Sequence, residues 1–300
     1  MSRTTTEQAT RKPRWRRPLV VVTGVVLLLA LTGCSQETED QWKRLGLPPP
    51  ASDRAPYMED LWIGSWIAAG IIGVFVWGLI GWAIVRYYRR SDDELPSQVR
   101  YNLPIEVLYT IAPVIAVAVL FFFTVEQQNK ILEPVDDPDH EVLVTAQQWA
   151  WTFSYLGEDA ANGEDVYESG TAADEAELWL VEDESVEFTL HSPDVIHDFW
   201  VPSFYFKQDV IPGRDEKMWM TPNEAGTYVG RCAELCGAQH ARMLFEVKIV
   251  SQEEFDEHIR ELLDAGQIGA PRGGENSEEI AGLEQEDEAG VEDEESGEQE

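Results

Sequence analysis

Two long runs without a charged side chain constrain the fold of this chain more than any other sequence feature. The runs span residues 61–85 and 107–125. As helices they would be about 37 Å and about 28 Å long, enough to cross the hydrocarbon of a bilayer. The loop between them contains Arg86, Arg89, Arg90 and Arg100. The two runs predict a transmembrane helical hairpin over residues 57–130. Because basic loops stay on the cytoplasmic side, both mature termini are expected to be extracytoplasmic.

Glycine and proline distinguish the two predicted spans. The glycines of the first span are Gly64, Gly70, Gly73, Gly78 and Gly81. Small residues let membrane helices approach closely, so they predict tight helix packing, although glycine is also generally frequent in membrane helices. Pro113 should kink the second span.

The first 33 residues have the pattern of a bacterial lipoprotein signal peptide. A basic segment with five Lys and Arg residues precedes the apolar run 19–31, which is too short to span a membrane comfortably. The run ends in Leu31-Thr32-Gly33-Cys34, which resembles a lipobox. We therefore expect cleavage before Cys34, lipid modification of its thiol, and an extracytoplasmic segment over residues 34–56. An uncleaved signal anchor with an unmodified Cys34 is the alternative.

Acidic residues outnumber basic ones 56 to 22, which gives a formal charge of −34. Such a chain is not predicted to bind nucleic acid, because phosphates require a basic surface. Two runs without a basic residue, Gly157–Glu187 and Gly273–Glu300, hold 25 of the acidic residues. The tail, residues 273–300, has low complexity and is predicted to be disordered. The insertion over residues 157–177 is the better candidate for attracting a basic partner, although solvated surface explains both runs.

Residues 141–250 are predicted to form an all-β domain of the sandwich or barrel type. The predicted strands are Val142–Thr145, Leu178–Val181, Ser185–Leu190, Lys217–Thr221, Gly226–Val229 and Leu244–Val250. Residues 251–272 should form a helix and a linker. A further strand alternates Trp149, Trp151, Phe153 and Tyr155 with small residues, which predicts one aromatic face. That face is either core or places one ring at the surface for electron entry or docking.

A group of soft metal ligands carries the chemistry of the sequence. Cys232, Cys236, His240 and Met243 lie within twelve residues, and His197 offers a second imidazole. Thiolates, imidazoles and a thioether favour copper over magnesium or calcium. A zinc site leaves the methionine unexplained, a disulfide leaves histidine and methionine unused, and a mononuclear blue-copper site leaves one cysteine over. Two copper ions bridged by two thiolates use all five side chains, and such a centre suits electron transfer.

These motifs resemble the CuA domain of subunit II of the haem–copper cytochrome c oxidases, over about residues 57–259. The matching segments are Gln148-Trp149-Ala-Trp151, Asp194-Val-Ile-His197, Lys207-Gln-Asp-Val-Ile-Pro-Gly-Arg214 and the Cys232–Met243 motif. The resemblance implies a cupredoxin-like Greek-key barrel outside the membrane. It also implies a dinuclear copper centre whose ligands are the side chains of His197, Cys232, Cys236, His240 and Met243 and the carbonyl of Glu234.

The resemblance implies further site residues. The Glu234 side chain would reach a magnesium or manganese ion at the interface with subunit I. Trp149 would receive the electron from cytochrome c. Glu106 would lie at the mouth of the K proton pathway, although an acid at the start of a helix is also favoured by the helix dipole. Asp209 and Arg214 would face the haem side of subunit I.

The function that the resemblance implies is that of the electron-input subunit of a proton-pumping oxidase in the bacterial plasma membrane. Electrons from cytochrome c would pass through this chain to haem a of subunit I, where oxygen becomes water, and subunit III would be a further partner. The chain has no Cys-x-x-Cys-His motif, so we expect no haem in it. The acidic insertion departs from the family pattern and favours, as an alternative donor, the tethered cytochrome of a bc1-type supercomplex. A quinol oxidase subunit II would lack the copper ligands that are present here. A copper carrier would have no evident need for two membrane spans. A nitrous-oxide reductase would need a large histidine-rich domain, whereas this chain has five histidines.

Overall fold

The computed structural model describes residues 36–91, 98–171 and 173–274. The predicted signal peptide, Cys34 and all but the first two residues of the predicted disordered tail lie outside the described residues. The chain divides into two compact units, residues 1–47 and 48–300. In the first unit the structure describes helix α1 (Gln36–Lys43).

Two long helices open the second unit and contain both predicted spans. They are α2 (Ala55–Arg86) and α3 (Leu103–Ile131), and both are long and apolar enough to cross a membrane. Their most apolar windows bury no residue within the chain, and Trp77 on α2 is 73% exposed. Large apolar side chains exposed in such numbers require an apolar surrounding. The predicted transmembrane hairpin is confirmed as the architecture of this segment.

The five glycines of α2 do not pack against α3. A Cβ atom added to any of them would meet no heavy atom of this chain within 4 Å. Close packing of these glycines against another helix stays a prediction, with ordinary glycine enrichment as the alternative. Pro113 lies inside α3, which continues to Ile131.

The remainder of the unit is built on two five-stranded sheets. The first has the strand order β3-β2-β1-β5-β8. Its strands are β1 (His140–Gln147), β2 (Ala150–Tyr155), β3 (Val166–Ser169), β5 (Val186–His191) and β8 (Glu216–Met220). The second has the order β4-β10-β9-β6-β7. Its strands are β4 (Ala176–Val181), β6 (His197–Val201), β7 (Phe206–Val210), β9 (Gly226–Cys232) and β10 (Leu244–Val250).

Aromatic and aliphatic side chains from both sheets form one core. Trp151, Phe199 and Phe245 pack against one another with ring centroids 5.1–5.9 Å apart. The pairs β1–β5 and β4–β10 are parallel and all other pairs are antiparallel. The predicted cupredoxin-like all-β domain is thus confirmed, and each of the six predicted strands outside the aromatic run falls on an observed strand.

The predicted linker after the last helix lies on the first sheet as an ordered strap. Helix α4 (Gln252–Asp264) begins with a capping box formed by Ser251 and Glu254. Beyond it, the Gln267 carbonyl accepts from the Tyr167 amide at 3.0 Å. The Pro271 carbonyl accepts from the buried Thr145 hydroxyl at 2.9 Å. These bonds fix residues 265–274, defined here as the C-terminal strap, across β3 and β1.

Several acids of the insertion contact histidine or lysine side chains inside the domain. Glu158 lies 2.9 Å from the ring of His140, and Glu168 lies 3.0 Å from that of His258. Glu177 pairs with Lys248. Residues 174–175, both acidic, are exposed instead. They precede β4, whose first residue pairs with Phe245 close to the predicted ligand Met243, so this part of the insertion presents exposed charge near the ligand loop.

The His140 contacts predict a pH-dependent contribution to stability. Burial lowers the pKa of His140, but its hydrogen bonds and charge interactions with Glu158 and Glu184 outweigh burial and raise that pKa above 6.5. Stabilisation by the charged ring is therefore complete below about pH 6.5 and disappears as pH rises through the higher folded-state pKa. We expect His140→Gln to lower the thermal midpoint of the solubilised protein more at pH 5.5 than at pH 9.

Loss of the His140 contact with the Phe255 ring, whose centroid lies 4.9 Å away, lowers the midpoint equally at both pH values. Only the difference between the decreases in thermal midpoint at pH 5.5 and at pH 9 therefore reports on the charged pair. Equal decreases at both pH values would contradict the prediction.

Candidate metal centre

The fold brings the ligand-bearing segments together at one end of two interior strands of the second sheet, β6 and β9. His197 is the first residue of β6 and Cys232 is the last residue of β9. These strands are neighbours, with Phe199 paired to Cys232. The connection from β9 to β10 carries the other three predicted ligands, Cys236, His240 and Met243. Strand pairing therefore sets the position of one histidine relative to the cysteine loop.

The five predicted ligand side chains converge in one group. The Sγ atoms of Cys232 and Cys236 lie 3.8 Å apart. Cys232 Sγ lies 3.8 Å from His197 Nδ1, and Cys236 Sγ lies 3.6 Å from His240 Nδ1. Met243 Sδ lies 3.8 Å from Cys236 Sγ. Each thiol thus has its own imidazole, in a nearly symmetric arrangement around the sulfur pair.

This donor set fits a pair of soft metal ions. Both cysteines are free thiols, which argues against the disulfide alternative. Cys232, Cys236 and Met243 are 1–5% exposed and His197 is fully buried, so soft ligands are withheld from water. The Glu234 carbonyl lies 3.2 Å from Cys232 Sγ and adds the sixth predicted donor. A single tetrahedral zinc ion would use four of these six groups.

Asp194 orients the His197 ring through the ring nitrogen that does not lie toward Cys232. Its Oδ1 accepts a hydrogen bond from His197 Nε2 at 2.9 Å, which leaves Nδ1 directed at Cys232. Burial raises the pKa of Asp194, but hydrogen bonds from His197 and from the amides of Gln148 and Val195 outweigh burial and lower that pKa. A carboxylate in this position fixes the tautomer and the plane of a ligating histidine.

The two thiols differ in acidity because they share one buried site. Burial raises the pKa of Cys232, but hydrogen bonds from His197 and the Asp198 amide outweigh burial and lower it to about 7. Burial and the adjacent charge of Cys232 raise the pKa of Cys236 to about 12. Metal cations would remove this repulsion and hold both groups as thiolates.

Trp149 lies beside the ligand loop but not on the aromatic strand face. It occupies the turn between β1 and β2 and is half-buried. Trp151, Phe153 and Tyr155 are 0–1% exposed core residues, so the prediction of one shared face is confirmed for them and wrong for Trp149. A Cβ atom added to Gly237 would lie 3.0 Å from Trp149 Cζ2. The indole therefore contacts the loop between Cys236 and His240.

The other predicted site residues lie outside this group. The Glu234 side chain is exposed. Glu106 Oε1 accepts from the Asn102 amide at 2.8 Å and so caps the start of α3, as expected of a helix N-terminal acid. Asp209 lies on β7 opposite Asp198 of β6. Asp198 is 1% exposed and accepts from Lys207 at 2.6 Å. No sequence motif predicted this buried acid beside His197.

The fold and the site together define a membrane-anchored cupredoxin-like protein with a candidate metal site built from cysteine, histidine and methionine side chains. Residues 141–250 match the family model described as cytochrome c oxidase subunit II, periplasmic domain. The chain is 41% identical over 302 residues to the probable cytochrome c oxidase subunit 2 of Streptomyces avermitilis, covering 90% of this chain and 94% of the relative. The cytochrome c oxidase subunit 2 of Corynebacterium glutamicum is 33% identical over 289 residues, covering 77% and 80%. The chain belongs to the cytochrome c oxidase subunit II family.

A solved structure gives a further point of comparison. The periplasmic domain of subunit II of the cytochrome oxidase of Bradyrhizobium japonicum is 26% identical and covers 44% of this chain and 99% of its own, with a TM-score of 0.39. Family membership and the two apolar helices describe a membrane protein with an extracytoplasmic domain.

Proposed function

We propose that this chain is the electron-input subunit of a proton-pumping cytochrome c oxidase. It accepts electrons from cytochrome c at a dinuclear copper centre and passes them to haem a of subunit I, where oxygen is reduced to water; subunit III completes the assembly. The observation that carries the proposal is the convergence of two thiols, two imidazoles and one thioether in one group, in which all members but the half-buried His240 are buried.

The residues of this chain would hold a copper pair in a rigid site that is mostly shielded from solvent. When bound, such a pair would supply one-electron redox chemistry, with the thiols of Cys232 and Cys236 and the rings of His197 and His240 holding it. His197 and Cys232 belong to adjacent strands of one sheet, so the ligand positions change little with charge. Asp194 holds the His197 ring by its Nε2 atom, which supports the same rigidity.

Trp149 would admit electrons at the surface. Its ring is half-buried and contacts the ligand loop at Gly237, so it links solvent-side contacts to the ligands by direct packing. The exposed acids at residues 174–175 add negative charge near this loop, which suits a basic donor. A donor tethered to a bc1-type complex would depend less on such steering.

Three further proposals concern the rest of the chain. The exposed Glu234 side chain would bind magnesium or manganese together with subunit I, since a carboxylate suits a hard cation. Glu106 would accept protons at the mouth of the K pathway in addition to capping α3. Cys34 would carry a lipid anchor.

Rapid mixing of the purified oxidase with reduced cytochrome c tests the proposed order of electron transfer. We expect the absorbance of the metal centre to change before that of haem a, and the bimolecular rate to fall as salt is added. A rate independent of salt would favour a tethered donor. Reduction of haem a without an earlier change at the metal centre would contradict the proposed function.

A further inference from the structure

We propose that Gln148 is a positioning residue for electron entry, because it ties both ligand-bearing loops to the residue that precedes Trp149. The inference rests on the proposed function, since it assigns Gln148 a role in the electron transfer that Trp149 would begin. Two hydrogen bonds, one from the main chain and one from the side chain, carry it.

The main chain of Gln148 is bound to the histidine loop. Its amide donates to Asp194 Oδ2 at 2.7 Å, while Asp194 Oδ1 accepts from His197 Nε2 at 2.9 Å. One carboxylate therefore holds a ligand ring with one oxygen and the Gln148–Trp149 turn with the other. The turn cannot shift relative to His197 without losing one of these bonds.

The side chain of Gln148 is bound to the cysteine loop. Its Nε2 donates to the carbonyl of Cys236. A Cβ atom at the next residue, Gly237, would lie 2.9 Å from this Nε2 and 3.0 Å from Trp149 Cζ2. Gly237 also has a φ of +135°, a conformation that other residues rarely adopt. The absence of a side chain at this position thus allows Gln148 and Trp149 to lie against the loop together.

No hydrogen bond fixes the Trp149 ring among the residues that the structure describes, because its buried Nε1 has no partner there. The ring position is therefore set by packing against Gly237 and by the attachment of the neighbouring Gln148. Reactions that depend on a defined geometry lose rate when a group is displaced by about 1 Å. We therefore expect that loss of the Gln148 side-chain bond shifts the Trp149 ring and slows electron entry.

The variant Gln148→Leu removes the bond to Cys236 while keeping a side chain of similar size. In the assembled oxidase we expect electron entry from reduced cytochrome c to slow about tenfold. The KM for cytochrome c and the copper content should stay unchanged, because neither docking groups nor ligands are altered. Gln147→Leu is the matched control: Gln147 is also half-buried, and its Oε1 accepts from Gly274 of the C-terminal strap. We expect its electron-entry rate to equal that of the parent.

A double-mutant cycle with Trp149→Phe separates this inference from the proposed function. If Gln148 acts through Trp149, adding Gln148→Leu to Trp149→Phe should slow entry by less than about twofold, whereas independent effects would multiply. An equal effect in both backgrounds, or no effect of Gln148→Leu where Trp149→Phe slows entry, overturns the inference alone. No effect of Trp149→Phe itself overturns the proposed entry role.

The variant Gln148→Asn keeps the amide but shortens its reach by one methylene. We expect it to slow electron entry, as Gln148→Leu does, and to keep its full copper content. It provides the measurement if Gln148→Leu does not retain copper. Loss of copper from both variants would overturn the inference, because Gln148 would then support the ligand loop rather than the position of Trp149.

Discussion

Replacing Cys232 with serine is expected to abolish the paired-metal spectrum and to reduce cytochrome c oxidation by the assembled oxidase to background. Cys232 Sγ lies 3.8 Å from both His197 Nδ1 and Cys236 Sγ, so it joins one imidazole to the second thiol. A serine hydroxyl is a harder ligand and stays protonated, so the proposed metal pair would lose one of its two thiolate ligands. Metal content per chain and the electron paramagnetic resonance spectrum measure the result.

Cys34→Ser is the matched control for this substitution. It removes the third cysteine of the chain, which lies in the predicted lipobox and outside the ligand motif. The spectrum of the purified protein should be that of the parent. An intact paired-metal spectrum in Cys232→Ser would refute the ligand assignment.

Replacing Trp149 with phenylalanine is expected to slow electron entry by about tenfold or more while metal content and spectrum stay unchanged. Phenylalanine keeps an aromatic ring but lacks the indole edge that contacts the Gly237 segment. No ligand is altered, so transfer to haem a after photochemical reduction of the centre should keep its rate. Rapid mixing with reduced cytochrome c isolates the entry step.

Trp219→Phe provides the control for loss of an indole elsewhere in the domain. Trp219 lies on β8 of the first sheet and donates from Nε1 to Glu187 at 2.8 Å. We expect stability to fall slightly and electron entry to keep the parental rate. Equal slowing by both substitutions would show that Trp149 has no special part in entry.

The membrane hairpin and most strands follow from the sequence because their signals are local. An uncharged run of membrane length has few alternatives, and runs such as Leu244–Val250 alternate buried and half-buried residues. Strands β3 and β7 have charged residues inside them, and β6 begins with His197 and Asp198. Their strand character comes from pairing with distant segments, which a local pattern does not contain.

The ligand set was predictable from chemistry, whereas its supporting contacts were not. Four ligands lie within twelve residues, and the residue types select a soft metal. Period-two alternation placed Trp149 on β2, but a turn at residues 148–149 takes it to the ligand loop instead. Gln148 reaches Cys236 across 88 positions of sequence, so only the tertiary structure brings them together.

The structure places part of the acidic charge of the insertion in contacts inside the domain. Glu158, Glu168 and Glu177 of the insertion pair with cationic or titratable side chains of the same domain. The insertion therefore adds strand β3 and contacts inside the domain, while Asp159, Glu164, Asp174 and Glu175 stay exposed. The predicted attraction of a basic donor stays a prediction for residues 174–175.

The most direct test of the account is the electron paramagnetic resonance spectrum of the purified full chain after copper addition and partial oxidation. The account predicts a hyperfine pattern from one unpaired electron shared equally by two copper nuclei, together with two copper ions per chain. The pattern of a single copper nucleus, or a spectroscopically silent chain that binds one zinc ion, would contradict the assignment of a dinuclear centre to these residues.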